Sequence, residues 1–264
     1  MKRALAAEFM GTLLFQLVGG TENSPVHNGV VLAVVIYMTA AISGGVVNPA
    51  VATGLLIAGE MPRTKWALYV IAQLSGAVVG ALIAGLIYDE CYVTPDHPQH
   101  MGCFKDYSYF NTGPGCVPDT PPEAYFRVWA WEFIGTFMLV GVVFETVVSK
   151  PGFGNVAPLA IGAAVFVNVG SSGGVTGGAY NPARFFGPAM AFGCRIGLVW
   201  LYWSAQLGGG ILAALAHSNV LLPKQKVAST SSHDLPEEHA RHALVDDVPS
   251  STQATELSAP PRAA

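Results

Sequence analysis

The stretch Ser43-Gly44-Gly45-Val46-Val47-Asn48-Pro49-Ala50-Val51 has a counterpart in the second half of the chain, Thr176-Gly177-Gly178-Ala179-Tyr180-Asn181-Pro182-Ala183-Arg184. In each, a turn built on two glycines runs into Asn-Pro-Ala and then into a short apolar piece, 47–58 or 181–193. Asn is a preferred helix N-cap, and Pro suits the first helical position, where no amide is needed and φ is already right. Asn48, Pro49 and Ala50, and Asn181, Pro182 and Ala183, therefore read as two helix starts. Matching landmarks flank both. Ala7-Glu8-Phe9-Met10-Gly11-Thr12 precedes the first and Trp131-Glu132-Phe133-Ile134-Gly135-Thr136 the second. Ala72-Gln73-Leu74 and Ala205-Gln206-Leu207 follow them, 25 positions separating Asn48 from Gln73 and again Asn181 from Gln206. Three landmarks in one order, the last two at one spacing, make an internal repeat.

The rest of the chain says what medium the repeat sits in. Of 264 residues 52% are apolar and only 11% charged, against about 25% charged in an average soluble domain. Residues 223–264 hold 10 of the 30 charges, so the first 222 positions carry 20. A soluble globule of that composition would show water an apolar skin. Nucleic acid is an equally poor partner for a chain with net charge −4 and no basic cluster. Six stretches approach the ~20 apolar residues of a membrane span: 4–20, 26–43, 66–88, 128–149, 156–170 and 196–222. The first is not a signal peptide, because Glu8 lies inside it and no small-x-small site closes it. The two short apolar pieces reach only half-way across a bilayer and fit re-entrant half-helices. Each repeat holds three spans, an odd number, so the second starts on the opposite face and the repeat is inverted. The half-helices then enter from opposite sides and meet N-terminus to N-terminus. Lys2, Arg3, Arg63, Lys65, Lys150, Lys224 and Lys226 fall on one side and Lys105, Arg127 and Arg195 on the other, which puts both termini in the cytoplasm. The plasma membrane is expected rather than a vacuolar or other internal membrane.

The expected fold is thus all-α: six transmembrane helices plus two half-helices in an inverted repeat, 1–88 and 128–222, joined by an extracytoplasmic loop 89–127. The segment 223–264, rich in Ser, Thr, Pro and charge, is expected to be a disordered cytoplasmic tail. Two helix N-termini aimed at one point place roughly half a positive charge from each there, a barrier to a cation or hydronium stripped of water but not to neutral water. The Asn48 and Asn181 amides can donate to one passing water oxygen. Glycine-rich turns let backbone carbonyls face the lumen. Arg184, in the first turn of the second half-helix, is a charge kept at membrane depth and so a functional candidate. Glu8 and Glu132 read as acceptors for hydrogen bonds from the two loops rather than as a proton-coupled site. Gln73 and Gln206 read as interhelical props, and Gly76 and Gly80 suit a close helix contact.

On the paired Asn-Pro-Ala motifs, the paired Glu-x-x-Gly-Thr and the paired Ala-Gln-Leu, residues 4–222 resemble the aquaporins, the major intrinsic protein family. The resemblance implies a passive water channel that excludes protons and ions, packed as a homotetramer in the lipid bilayer, with no cofactor and no metal. The offsets the family uses, 20 before Asn48, 12 and 3 before Asn181 and 3 after it, give a selectivity filter of Asn28, Val169, Gly178 and Arg184. Strict water channels narrow this opening with Phe and His. Asn168 to Tyr180 is closer to the plant vacuolar, tonoplast-type members, whereas Phe185 after Arg184 and Tyr202-Trp203 in the sixth span lie on the water-channel side. A wide-mouthed water channel passing small neutral solutes follows, with a broad facilitator of ammonia, urea, glycerol or hydrogen peroxide as the alternative. Gly178 replaces the Cys that confers mercury sensitivity elsewhere in the family.

Cys91, Cys103, Cys116 and Cys194 share the non-cytoplasmic face, where an even number suggests one or two disulfides of unassigned pairing. His97 and His100 read as solvated loop residues. A coupled secondary transporter also uses inverted repeats and broken helices, but the midplane here holds Asn-Pro caps in place of acidic coupling sites. A non-conducting scaffold is at odds with two unaltered motifs and Arg184. An enzyme is at odds with spans that hold no nucleophile–base pair.

Overall fold

The computed structural model describes residues 1–20, 24–87 and 120–221. Its helices are α1 (Lys2–Gly19), α2 (Pro25–Ser43), α3 (Pro49–Ile57), α4 (Arg63–Ile87), α5 (Tyr125–Val143), α6 (Ala157–Thr176), α7 (Pro182–Phe192) and α8 (Val199–Ala216). Short 3-10 turns lead into α5, α6 and α8, and single π turns, Phe144–Val148 and His217–Leu221, extend α5 and α8. Among the described residues six helices are long and two are short, in the order the repeat requires. Five helical stretches among the described residues are long and apolar enough to cross a membrane. The remaining long helix, α1, carries Lys2, Arg3 and Glu8 within 18 residues.

Burial is inverted relative to a water-soluble protein. Glu8, Gln73, Glu132, Gln206 and Arg184 are fully enclosed, while Ile71, Leu86, Ile134 and Leu159 face outward. Lipid tolerates the apolar exterior and forces polar groups to find partners inside.

The two halves pack by equivalent contacts. In the first half α1 lies along α4, and in the second α5 lies along α8. Each half-helix packs against the third span of the other half, α3 on α8 and α7 on α4, and α2 crosses α6 between the halves. At that crossing a Cβ on Gly29 would stand 2.6 Å from the Gly162 carbonyl oxygen, so only glycine allows the approach. Gly76 and Gly80, whose spacing suggests a close helix contact, are used within the chain: a Cβ on Gly80 would meet the Leu13 carbonyl of α1 at 2.5 Å.

Helix α6 runs to Thr176, six residues past the span read from the sequence. Ser171, Ser172, Gly173 and Gly174 lower both hydropathy and helix propensity. The Ser171 and Ser172 hydroxyls donate to the carbonyls of Val167 and Asn168, and Asn168 Nδ2 donates to Gly135 O on α5 at 2.7 Å. With its polar groups satisfied the helix continues until Gly177, at φ 81°, ends it. Most of the 89–127 loop and all of the 223–264 tail lie outside the described residues, as do Cys91, Cys103, Cys116, His97 and His100. Cys194, just past the end of α7, is disulfide-bonded.

Candidate functional site

The two Asn-Pro-Ala loops have the same backbone. Gly44, Gly45 and Val47 take φ of 100°, 62° and 40°, and Gly177, Gly178 and Tyr180 take 81°, 66° and 45°. A left-handed conformation is easy for glycine but strained for a β-branched or bulky residue, at roughly 1–3 kcal/mol each. Val47 and Tyr180 stay there because a buried carboxylate holds each loop. Glu8 accepts from Ser43 Oγ (2.6 Å), Val46 N (3.0 Å), Val47 N (2.8 Å) and Gln73 Nε2 (2.7 Å). Glu132 accepts from Ala179 N (3.2 Å), Tyr180 N (2.8 Å) and Gln206 Nε2 (2.8 Å). Hydrogen bonds to a charged group contribute about 1.5–3 kcal/mol each, enough to offset the strain. Both glutamates are fully buried, and their ligands are loop amides, the two glutamines and the hydroxyls of Ser43 and Thr176.

The strained residues aim their carbonyls across the junction. Asn48 Nδ2 donates to Tyr180 O at 3.0 Å and Asn181 Nδ2 to Val47 O at 2.9 Å. Each Asn Oδ1 caps its own helix, accepting from Ala50 N (2.8 Å) or Ala183 N (2.9 Å). An Asn amide has two N–H groups, so one on each side chain is spent holding the half-helices together and one is left.

Asn48 and Asn181 line a cavity of about 280 Å³. Phe15, Asn28, Gly178 and Arg184 line it toward one end, and Glu60, Met61 and Lys65 toward the other. Pro49, Ala50, Pro182 and Ala183 are buried at the helix starts and set the caps without lining it. Arg184 is 1% exposed. Its Nη1 donates to Phe15 O (2.7 Å), and its Nη2 to Gly19 O (2.9 Å) and Asn28 Oδ1 (2.8 Å). The guanidinium also lies over the Phe15 ring, 4.2 Å from its centroid. Both carbonyls lie near the C-terminal end of α1, the negative end of that helix, so the buried charge is held by carbonyls, one amide and a ring. Three of its five N–H groups are committed, which leaves two.

Of the four filter positions, Asn28, Gly178 and Arg184 line the cavity and two of them touch. Val169 is buried behind Gly178, where an added Cβ would meet Val169 Cγ2 at 3.0 Å. It is not among the lining residues.

Some of the site went unread in the sequence. Tyr69 and Tyr202 brace the glycine turns from α4 and α8, their hydroxyls donating to Ser43 O (2.8 Å) and Thr176 O (2.7 Å). Each stands 21 positions after its Asn, a matched offset that would have found them. Ser43 and Thr176, five before each Asn, accept from Gly45 N and Gly178 N. Phe15 also belongs to the site, and with Leu139, at the same offset of seven from its glutamate, it lines the cavity.

Comparison with known proteins agrees with this architecture. The family model for the major intrinsic protein matches residues 1–217. Aquaporin TIP2-1 of Arabidopsis thaliana is 34% identical over 253 residues, 88% of this chain and 92% of its own length. Aquaporin TIP2-1 of Zea mays is 33% identical over 241 residues, 83% of this chain and 88% of its own. An aquaglyceroporin structure from Plasmodium falciparum superposes with a TM-score of 0.67 at 21% identity, covering 84% of this chain and 97% of that one, a likeness of fold. The run of tonoplast-type relatives overturns the plasma-membrane expectation. The physical reason is that the Lys and Arg bias sets which face of a membrane a loop occupies and carries no address for an organelle. By the family match across its helices and by its relatives over more than four-fifths of its length, the chain belongs to the major intrinsic protein family, the aquaporins.

Proposed function

We propose that this chain is a passive channel for water in the vacuolar membrane that excludes protons and ions and also passes small neutral solutes. The observation that carries the reading is the cavity itself: an apolar-walled passage in which Asn48, Asn181, Asn28 and Arg184 supply fixed polar groups. A water molecule at the junction accepts the one N–H left on each Asn, which turns its own hydrogens outward and breaks the chain along which a proton would hop. The two half-helix N-termini add positive potential at the same place. At the Arg184 end a permeant oxygen meets two free guanidinium N–H groups, while a cation meets a full positive charge. The vacuolar-type relatives support the membrane assignment. The two repeats, 1–88 and 128–222, act as one pore, and four copies assemble as a homotetramer with a pore in each.

The filter is Asn28, Gly178 and Arg184, with Val169 packed behind Gly178, and it is open because Gly178 brings no side chain. A His at 169 would project past Gly178 into the passage, and a Phe at 28 would fill the space beside Arg184. Vesicles carrying the double variant Asn28→Phe, Val169→His are expected to lose more urea and glycerol flux than water flux in a stopped-flow swelling assay. Equal losses would mean that these residues do not set the width of the mouth.

A further inference from the structure

The inverted repeat supplies a second constriction, built on the same backbone as the first and opposite to it in chemistry. The filter uses position 28, which is 20 before Asn48, together with positions 12 before, 3 before and 3 after Asn181. Exchanging the two halves gives Ile161 (181 − 20), Ile36 (48 − 12), Gly45 (48 − 3) and Val51 (48 + 3). The exchange is a physical one. The two loops share their φ values, their carboxylate anchors, their crossed Asn–carbonyl bonds and their tyrosine braces. All four residues line the same cavity, on the side of the junction away from Arg184. Ile36, Val51 and Ile161 are each 5% exposed and belong to one apolar cluster.

We propose that Ile36, Val51 and Ile161, facing Gly45, form a second, apolar selectivity ring that discriminates among neutral permeants by the hydrogen bonds they must give up. This rests on the reading of the cavity as a channel. Where the Arg184 end offers a guanidinium and an amide, the equivalent wall offers a valine and an isoleucine. A side chain with no donor or acceptor cannot replace the water that a permeant leaves behind. Water in single file keeps its neighbours ahead and behind as partners. Urea and glycerol carry polar groups around their girth and lose lateral partners at the ring. The polar end therefore admits solutes that the apolar ring then slows, and the order of fluxes through the whole pore is set by the two rings in series.

The test separates polarity from width. Val51→Thr keeps the side-chain shape and adds a hydroxyl to the ring, and Ile161→Val removes a methylene and adds no partner. In reconstituted vesicles, Val51→Thr is expected to raise the urea-to-water permeability ratio about threefold to tenfold, the range that one added hydrogen bond is worth, while Ile161→Val leaves the ratio at its wild-type value. Ile36→Thr on the neighbouring element should raise the ratio in the same direction and stands in if Val51→Thr fails to insert. Wild-type water flow with an unchanged ratio in both threonine variants would overturn the ring alone. A ratio raised as much by Ile161→Val would overturn it in favour of a width filter. No water flow through the wild type would overturn the channel reading and the ring with it.

Discussion

Replacing Glu8 with alanine is expected to leave vesicles no more permeable to water than bare lipid. The carboxylate takes four hydrogen bonds, two of them from the backbone amides of Val46 and Val47. Alanine removes the acceptor and leaves those amides, Val47 N buried and Val46 N partly buried, without partners, at up to about 1–3 kcal/mol each. The strain at Val47 then has nothing to hold it. The sum is a large fraction of the 5–15 kcal/mol that keeps a typical domain folded. Val47 O would leave its place opposite Asn181 Nδ2, and the crossed bonds that join the half-helices would fail. Glu132→Ala should do the same to the second loop. Glu8→Gln keeps one acceptor oxygen but turns an NH₂ group toward donors, so its flow should lie in between. Swelling rates measured beside the amount of protein inserted decide the matter. Normal flow in Glu8→Ala would mean that the carboxylate is not what holds the loop.

Replacing Arg184 with leucine acts on selectivity instead. The variant removes a buried charge and frees three oxygens, Phe15 O, Gly19 O and Asn28 Oδ1. A repelling site becomes one that attracts cations. A unit charge about 4 Å away at an effective dielectric near 20 is worth about 4 kcal/mol, or about three orders of magnitude in occupancy at the mouth. Proton or alkali-cation leak should therefore appear in dye-loaded vesicles, urea and glycerol flux should rise, and water flow should persist. Arg184→Lys keeps the charge but loses the planar fork that reaches three acceptors at once, so it should stay tight to cations while admitting more solute. An Arg184→Leu channel as proton-tight as the wild type would place exclusion wholly at the Asn48–Asn181 junction.

The fold was legible because inversion leaves arithmetic in the chain. Asn48 and Gln73 are spaced as Asn181 and Gln206 are, and Glu8 and Glu132 precede them in the same order; in the structure they meet in equivalent bonds. What the residues did not reveal is mostly backbone. Arg184 is held by the carbonyls of Phe15 and Gly19, and a carbonyl has no residue identity to read. The crossed bonds to Val47 O and Tyr180 O depend on left-handed backbone at two residues that seldom adopt it. Helix α6 outran its reading because Ser171 to Gly174 look like a turn until Asn168 and the serines find carbonyl partners. Gly76 and Gly80 carry a spacing that marks close contact without saying with what. Val169 follows from an offset that counts positions along the chain, and Gly178, lacking a side chain, lets it sit behind the wall.

Everything proposed for this chain requires the passage to be a continuous open pore for water. The most direct measurement is the temperature dependence of osmotic water flow in vesicles containing the wild-type chain, against empty vesicles of the same lipid. An open pore gives faster flow with a low activation energy, close to that for the diffusion of water in bulk. Flow no faster than through bare lipid, or a high activation energy of the kind alternating access imposes, would contradict it.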